Sequence, residues 1–223
     1  MRHRFRGRIA GVGSASGIRV VVGRWDASPL GAFADVMVET SKGHRVLLAP
    51  RSEVAEFVEA TYTFDEVRLE PVDVVVEGAR WEVRTPSLTL DLTAGPLTLL
   101  GRLLRLLPRG VATHPMWCRL VDPLARRVLR GVRTHGVARA GRHEYYGATD
   151  VRAVLSLSGR FDGVDLGDLR RVEPPCGFGF SSTPARPSVT ALVTTVKDTD
   201  SADRLVEPIT ADRTDDFGTG GRS

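Results

Sequence analysis

Residues 33–49 read FADVMVETSKGHRVLLA, and they carry the strongest evidence for the fold class. Two short apolar runs, 33–39 and 45–49, are separated by the turn residues Ser-Lys-Gly at 41–43. Such runs between turn signals predict β-strands. Because a connection this short joins antiparallel neighbours, whereas parallel strands need a longer crossover, the stretch predicts an antiparallel hairpin.

The same pattern recurs along most of the chain. Further strands are predicted at residues 4–10, 18–22, 67–76 with an interruption at Pro71, 81–84, 88–92, 132–138, 151–157 and 189–196. Together they predict a single, mainly β domain of the α+β type over residues 1–197, built as an antiparallel β-barrel or strongly curved sheet with two or three covering helices. Residues 198–223 are rich in Asp, Thr, Ser and Gly. This composition buries too little apolar surface to offset ordering, so a disordered polar tail is predicted.

Helical periodicity occurs in three places. One helix is predicted to begin near Ser52, which would cap it, because apolar residues recur after it with the spacing of one helix face. A second is predicted over residues 97–107, where leucines share a face and Pro96 suits the first turn. A third is predicted over residues 117–129.

The composition argues against several kinds of chemistry. Of the 31 basic residues only Lys42 and Lys197 are lysines, and neither is placed for Schiff-base catalysis, which needs a lysine amine. Lys42 belongs to the predicted hairpin turn, and Lys197 borders the polar tail. Cys118 and Cys176 lie far apart and form no paired motif, so no zinc site is predicted. No metal and no cofactor are therefore expected.

The sequence also carries a prediction of location. The first residues are basic but lack the apolar run of a signal peptide, and no stretch approaches 18 apolar residues. No transmembrane segment is therefore expected. Two cysteines without a pairing pattern are typical of reduced thiols. These features predict a cytoplasmic protein.

Positive charge is concentrated in residues 95–143, although the formal net charge of the whole chain is only +4. This region has ten arginines and one acid, Asp122. Clustered arginines can neutralise nucleic-acid phosphates, but no nucleic-acid-binding motif supports that role. A Leu/Arg helix at 97–107 could instead lie in a lipid headgroup layer. A solvated face on helices packed against the sheet is the third interpretation, and it is favoured.

Residues 143–150, HEYYGATD, hold the densest run of functional side chains. Histidine titrates near neutral pH and a carboxylate can orient it, so acid–base catalysis is the hypothesis for His135, His143, Tyr145 and Asp150. The favoured alternative is a polar strand end whose tyrosines cap the core. The histidine spacings match no known metal-binding set.

Residues 23–25, Gly-Arg-Trp, resemble the G-x-W signature of lipocalins, in which a tryptophan closes the base of a ligand-binding barrel. The alternative, which is favoured, is an ordinary buried tryptophan near a turn. Three longer runs, RIAGVG at 8–13, GHRVLLAP at 43–50 and YYGATD at 145–150, resemble an actinobacterial family with no known activity.

The overall layout is also similar to antiparallel barrels that hold apolar ligands, such as lipocalin-like and acetoacetate-decarboxylase-like proteins. The resemblance implies a curved antiparallel sheet around a ligand. Acetoacetate decarboxylases depend on a catalytic lysine, and this chain has none in a suitable position, so that activity is not expected.

The leading prediction is a module that binds a partly apolar, anionic small molecule or lipid, because small barrels can enclose one ligand. The candidate ligand-binding residues are Trp117, Arg119, Arg133 and Tyr146, with His135 beside them. An enzyme acting on a lipid- or isoprenoid-like acid, through the acid–base residues above, is the first alternative. A membrane-peripheral or protein-interaction module that uses the Arg/Leu helix is the second.

Overall fold

The computed structural model describes residues 2–106, 135–139, 142–179 and 183–198. In residues 2, 135–139, 142–146 and 196–198 the backbone alone is described. The predicted helix at 117–129, the candidates Trp117, Arg119 and Arg133, and the tail beyond residue 198 lie outside the described residues. The division into a domain and a tail therefore stays a prediction.

Thirteen strands and two helices form the described part of the chain. In chain order they are β1 (Arg2–Ser14), β2 (Arg19–Ala27), β3 (Phe33–Glu39), β4 (Arg45–Ala49), α1 (Ser52–Glu59), β5 (Glu66–Leu69), β6 (Asp73–Glu77), β7 (Arg80–Arg84), β8 (Leu88–Leu97), α2 (Leu99–Leu106), β9 (His135–Arg139), β10 (Arg142–Phe161), β11 (Val164–Asp165), β12 (Leu169–Arg170) and β13 (Ser188–Asp198).

The strands belong to one curved sheet. Ten of them follow the order β5-β4-β3-β2-β1-β13-β10-β8-β7-β6, while β9 and β11 pair with β10 and β12 pairs with β1. The sheet curls into a half-barrel, and this confirms the predicted mainly β fold with a strongly curved sheet. The predicted hairpin at 33–49 is also confirmed, because β3 and β4 pair antiparallel with Val36 opposite Leu48.

One pair of strands departs from the antiparallel pattern. The predicted strand region at 67–76, which Pro71 interrupts, forms two separate strands, and β5 and β6 lie at opposite ends of the strand path. Pro71 falls between them, and proline cannot donate a hydrogen bond to a sheet. β5 pairs parallel to β4, since α1 carries the chain back across the sheet.

The helices differ in detail from the predictions. α1 forms as expected, but Arg51 rather than Ser52 is its extended N-cap residue, and it has no side-chain cap hydrogen bond. Ser52 already lies inside the first turn. Pro96 and Leu97 belong to β8, so α2 begins at Leu99 rather than at residue 97.

Apolar layers cover both faces of the curved sheet. The inner core brings β2, β3 and β4 against β7, β8 and β10 across the curl, and includes Val20, Val36, Trp81, Leu90 and Leu157. The outer core lies under α1 and the 172–178 segment, and includes Phe5, Val21, Met37, Leu47, Val54 and Phe178. Because alternate residues of a strand face opposite sides, β3 contributes to both layers and all seven of its residues are buried.

The inner core predicts a large stability effect for Leu90, which is fully buried on β8. We expect Leu90→Ala to lower the free energy of unfolding by about 2–5 kcal/mol, because it removes transfer energy and leaves a cavity. Leu69→Ala, at a leucine that is 60 % exposed on β5, is the matched control and should cost less than about 0.5 kcal/mol. Urea denaturation compares the two, and equal losses would contradict the assignment of the core.

Candidate functional site

A cavity of about 50 Å³ lies on the outer face of the sheet, between β1, β2 and β3 and the C-terminal end of α1. We call it the outer-face cavity. Most of its walls are apolar or aromatic. The described residues that line it are Phe5, Ile9, Val21, Gly23, Trp25, Phe33, Asp35, Met37, Phe57, Val58, Thr61, Tyr62 and Thr194.

The strand register explains why a glycine lies on the floor of this cavity. Gly23 lies in the middle of the cavity floor, paired with Ile9 on β1 and with Asp35 on β3. Directly paired residues of antiparallel strands share a face of the sheet. A Cβ atom at Gly23 would lie 2.4 Å from Asp35 Oδ1 and 2.8 Å from Trp25 Nε1. Glycine is therefore needed here for the acid and the indole to meet.

Asp35 is a buried carboxyl group in these apolar surroundings, and the residue is 4 % exposed. The Trp25 indole Nε1–H donates a hydrogen bond to Asp35 Oδ1 at 2.9 Å. Burial raises the pKa of Asp35 to about 7, although the hydrogen bond from Trp25 opposes the shift. No Arg, Lys or His stands among the described lining residues, so the carboxylate has no counter-charge within the cavity wall.

Three aromatic contacts hold the wall around this pair. The Phe5 ring packs edge-on against Trp25 at 5.8 Å between centroids, and it lies 4.5 Å from Phe57 of α1. Trp25 also lies 6.3 Å from Phe33. Aromatic pairs at these distances add to the energy of apolar burial. The indole is thus fixed from two sides while it donates to the acid.

Thr194 supplies a second polar group to the wall. The residue is 4 % exposed, and its Oγ1 has no hydrogen-bond partner among the described residues. A buried hydroxyl left without a partner costs about 1–3 kcal/mol. Rotation about the Cα–Cβ bond of Thr194 exchanges its methyl and hydroxyl groups, so a ligand in the cavity can offer the missing partner.

The predicted site residues are placed by backbone register. His135 on β9 pairs directly with Tyr145 on β10, and His143 pairs with Val137. Tyr146 pairs with Thr194, which lines the outer-face cavity. The side chains of these histidines and tyrosines are outside the described part of the structure. Their catalytic and ligand-binding roles stay predictions.

Asp150, the fourth catalytic candidate, has an observed partner. Its Oδ2 lies 3.1 Å from Nη2 of Arg105, and this ion pair joins β10 to α2. The Asp150 side chain is 19 % exposed, so the pair is partly shielded from water. The Asp150 carboxylate therefore already has a cationic partner on α2.

Asp35 was not among the predicted functional residues. Residues 33–39 were predicted only as one strand of a hairpin, and the acid near the centre of that strand was not considered as a site residue. An acid inside an otherwise apolar strand is a signal of a site residue, since buried charges are costly without a partner. Trp25 was noticed through the G-x-W resemblance, but the favoured interpretation there was an ordinary buried tryptophan.

Other classes of site are not present in the described residues. No group of three or more His, Cys, Asp or Glu side chains there could hold a metal ion. Neither helix of that part is long and apolar enough to cross a membrane. Lys42 lies in the exposed turn between β3 and β4 and is not among the described residues that line the cavity.

No protein-family model matches the chain, and a comparison with curated proteins finds no match. Solved structures give weak similarities. The acetoacetate decarboxylase of Legionella pneumophila is 10 % identical, with a TM-score of 0.39 over 89 % of this chain and 86 % of that one. A second acetoacetate decarboxylase structure is 7 % identical, with a TM-score of 0.41 over 89 % and 85 % of the two chains. These values are too low to transfer an activity.

The raised pKa of Asp35 predicts a pH-dependent stability. The folded protein holds the Asp35 proton up to about pH 7, whereas the unfolded chain releases it near the ordinary aspartate pKa of 3.8. Stability due to this group is therefore complete below that value and is lost as pH rises towards 7. Asp35→Asn cannot titrate. We expect the free energy of unfolding of the wild type, minus that of Asp35→Asn, to fall by roughly 3 kcal/mol between pH 4 and pH 7.

Urea denaturation at several pH values measures this difference. Parallel curves for the two proteins across that range would contradict a buried carboxyl with a raised pKa.

Proposed function

We propose that this protein binds a small, largely apolar molecule in the outer-face cavity. The observation that carries the proposal is the buried Asp35 carboxyl, held by Trp25 inside an apolar and aromatic wall. Ligand sites are typically concave and apolar, with a few placed polar groups. Trp25, Phe57 and Tyr62 on the cavity wall are partly exposed, so the cavity reaches the surface there.

The earlier prediction of an anionic ligand depends on other residues. It rests on Trp117, Arg119 and Arg133, which are outside the described residues, and it stays a prediction for that part of the chain. The described lining of the outer-face cavity offers no cation to an acid group. Our proposal for this cavity therefore keeps the small, partly apolar ligand and leaves out the acid group.

The test uses 1-butanol as a neutral probe and the Trp25 indole N–H signal in a two-dimensional NMR spectrum as the readout. The Trp25→Phe variant identifies that signal among those of the three tryptophans. We expect saturable shifts in the wild type. Val21→Leu should weaken the binding about tenfold or more, because one added methylene competes for the cavity.

Val75→Leu is the matched control, since the same change is made at a valine that is 51 % exposed on β6. It should leave the probe affinity unchanged. An indole signal that does not move with 1-butanol, or equal effects of the two leucine variants, would rule out the cavity as a binding site.

A second candidate function follows from α2. Gly101 is buried against β10, where a Cβ atom would lie 2.2 Å from the Val151 carbonyl oxygen. Leu99, Leu103 and Leu106 are 75 %, 54 % and 79 % exposed, and they recur at i, i+4 and i+7. We propose an anionic lipid surface as the occupant of this face, because the exposed Arg102 lies beside the leucines and basic amphipathic helices bind such surfaces.

Vesicle sedimentation tests this second candidate. We expect the protein to bind phosphatidylcholine vesicles that contain phosphatidylserine, and Leu103→Ser to weaken this binding by about tenfold, since burying one leucine is worth about 1.5–3 kcal/mol. Leu69→Ser, at an exposed leucine on β5, is the control and should bind as the wild type does. Equal sedimentation of all three proteins would contradict the lipid role.

A further inference from the structure

We propose that the ligand of the outer-face cavity carries a primary ammonium group that pairs with Asp35. The ligand is then a small alkylamine, or the amine end of a longer chain. This inference rests on the proposed function, because it names the chemical class that the same cavity recognises.

The hydrogen-bonding groups of the cavity favour a donor. Asp35 presents a carboxyl group, and the Trp25 indole donates to its Oδ1 atom. An ionised carboxylate only accepts hydrogen bonds, and each of its oxygens can accept more than one. An ammonium group has three donors and no acceptor, so it matches the acid without leaving an unpaired acceptor of its own.

Charge favours the same ligand. Asp35 and Tyr62 are the titratable side chains among the described lining residues: β1, β2, α1 and β13 contribute none to the wall. Among the described lining residues, the carboxylate of Asp35 therefore faces no cation. A buried charge is costly unless it is paired, and an ammonium supplies the missing partner. A ligand carboxylate would add a second negative charge and meet repulsion.

Size limits the rest of the molecule. A cavity needs roughly 10–15 Å³ of volume to hold one water molecule, which has a single non-hydrogen atom. The outer-face cavity of about 50 Å³ therefore holds about three to five non-hydrogen atoms. n-Butylamine and 1-butanol both fall in this range and have nearly the same shape. They differ in charge, and butyrate supplies the opposite charge on a similar chain.

The experiment titrates these three probes into the full chain between pH 6 and pH 8, again following the Trp25 indole signal. We expect n-butylamine to bind more tightly than 1-butanol at pH 8, and butyrate to bind most weakly. Burial raises the pKa of Asp35 to about 7, so the ionised fraction grows over this range. The alkylamine stays charged, and its affinity should therefore rise about tenfold from pH 6 to pH 8. That of 1-butanol should not rise.

Asp35→Asn provides the matched variant, because the amide keeps an oxygen that can accept from the Trp25 indole. It should bind 1-butanol and lose both the preference for the amine and its pH dependence. Asp26→Asn is the control, because it removes an exposed carboxyl group near the end of β2. It should keep the wild-type preference for the amine and the wild-type pH dependence.

The outcomes separate this inference from the proposed function. If 1-butanol binds but n-butylamine shows no preference at pH 8, or if Asp35→Asn keeps that preference, the ammonium inference is overturned and the cavity still binds ligands. If none of the three probes moves the indole signal, both proposals fail. Should Asp35→Asn not fold, the pH dependence of the wild type decides the question alone.

Discussion

Burial of β3 on both faces is the constraint on which the rest of the structure depends. A strand in the middle of a curved sheet has one face towards the concave side and one face outward, and alternate residues serve the two. Val36 and Val38 pack into the inner core, whereas Phe33 and Met37 pack into the outer one. The curl of the sheet covers the first pair. The second pair needs a separate cover, which α1 and the 172–178 segment provide.

A buried ion pair fixes part of that cover. Arg19 and Glu39 face each other across β2 and β3, with Nη2 and Oε1 2.8 Å apart. Glu39 Oε2 also accepts the Gly177 N–H at 2.6 Å, and Arg19 Nη1 donates to the Pro174 carbonyl at 2.9 Å. Removing two charges from water is expensive, and such a pair holds only where further hydrogen bonds satisfy it. Here those bonds tie the 172–178 segment to the sheet. Cys176 belongs to this segment and is buried in the outer core, and this burial raises the pKa of its thiol to about 12.

The outer-face cavity is a consequence of the same alternation. Ile9, Gly23 and Asp35 form one row across three strands of the outer face, and the glycine at its centre leaves room for the Asp35 carboxyl to meet the Trp25 indole. Asp35 is an acid in a strand with no solvent-exposed side. Local sequence preference and global fold conflict at this position, and conflicts of this kind concentrate at functional sites. An apolar residue there would serve folding alone better, and this conflict supports the proposed role of Asp35 in ligand binding.

The fold was predictable from local signals to a large extent, and the site was not. The hairpin at 33–49, the helix at 52–59 and the curved sheet follow from period-two apolar runs, turn residues and helical spacing. The parallel pairing of β5 did not follow, because it depends on where α1 returns the chain and not on the residues of β5. The cap at Arg51 was missed because Ser52 has the better intrinsic preference, and the backbone begins the helix one residue earlier. Asp35 meets Trp25 only through register, which a single sequence does not specify.

The size of the cavity also limits how tightly it can bind. The best small ligands gain about 1.5 kcal/mol per non-hydrogen atom, so a ligand of five such atoms is restricted to a binding free energy of about 7.5 kcal/mol. Part of this gain is spent when the ammonium leaves water, and the pairing with Asp35 has to offset that cost. A ligand that must be held more tightly needs further apolar contact. Trp25, Phe57 and Tyr62 form a partly exposed rim of the cavity. A longer chain would leave the cavity at this rim and make its further apolar contacts there. The geometry therefore favours the amine as the buried end of a longer ligand, with the apolar remainder lying along this aromatic rim.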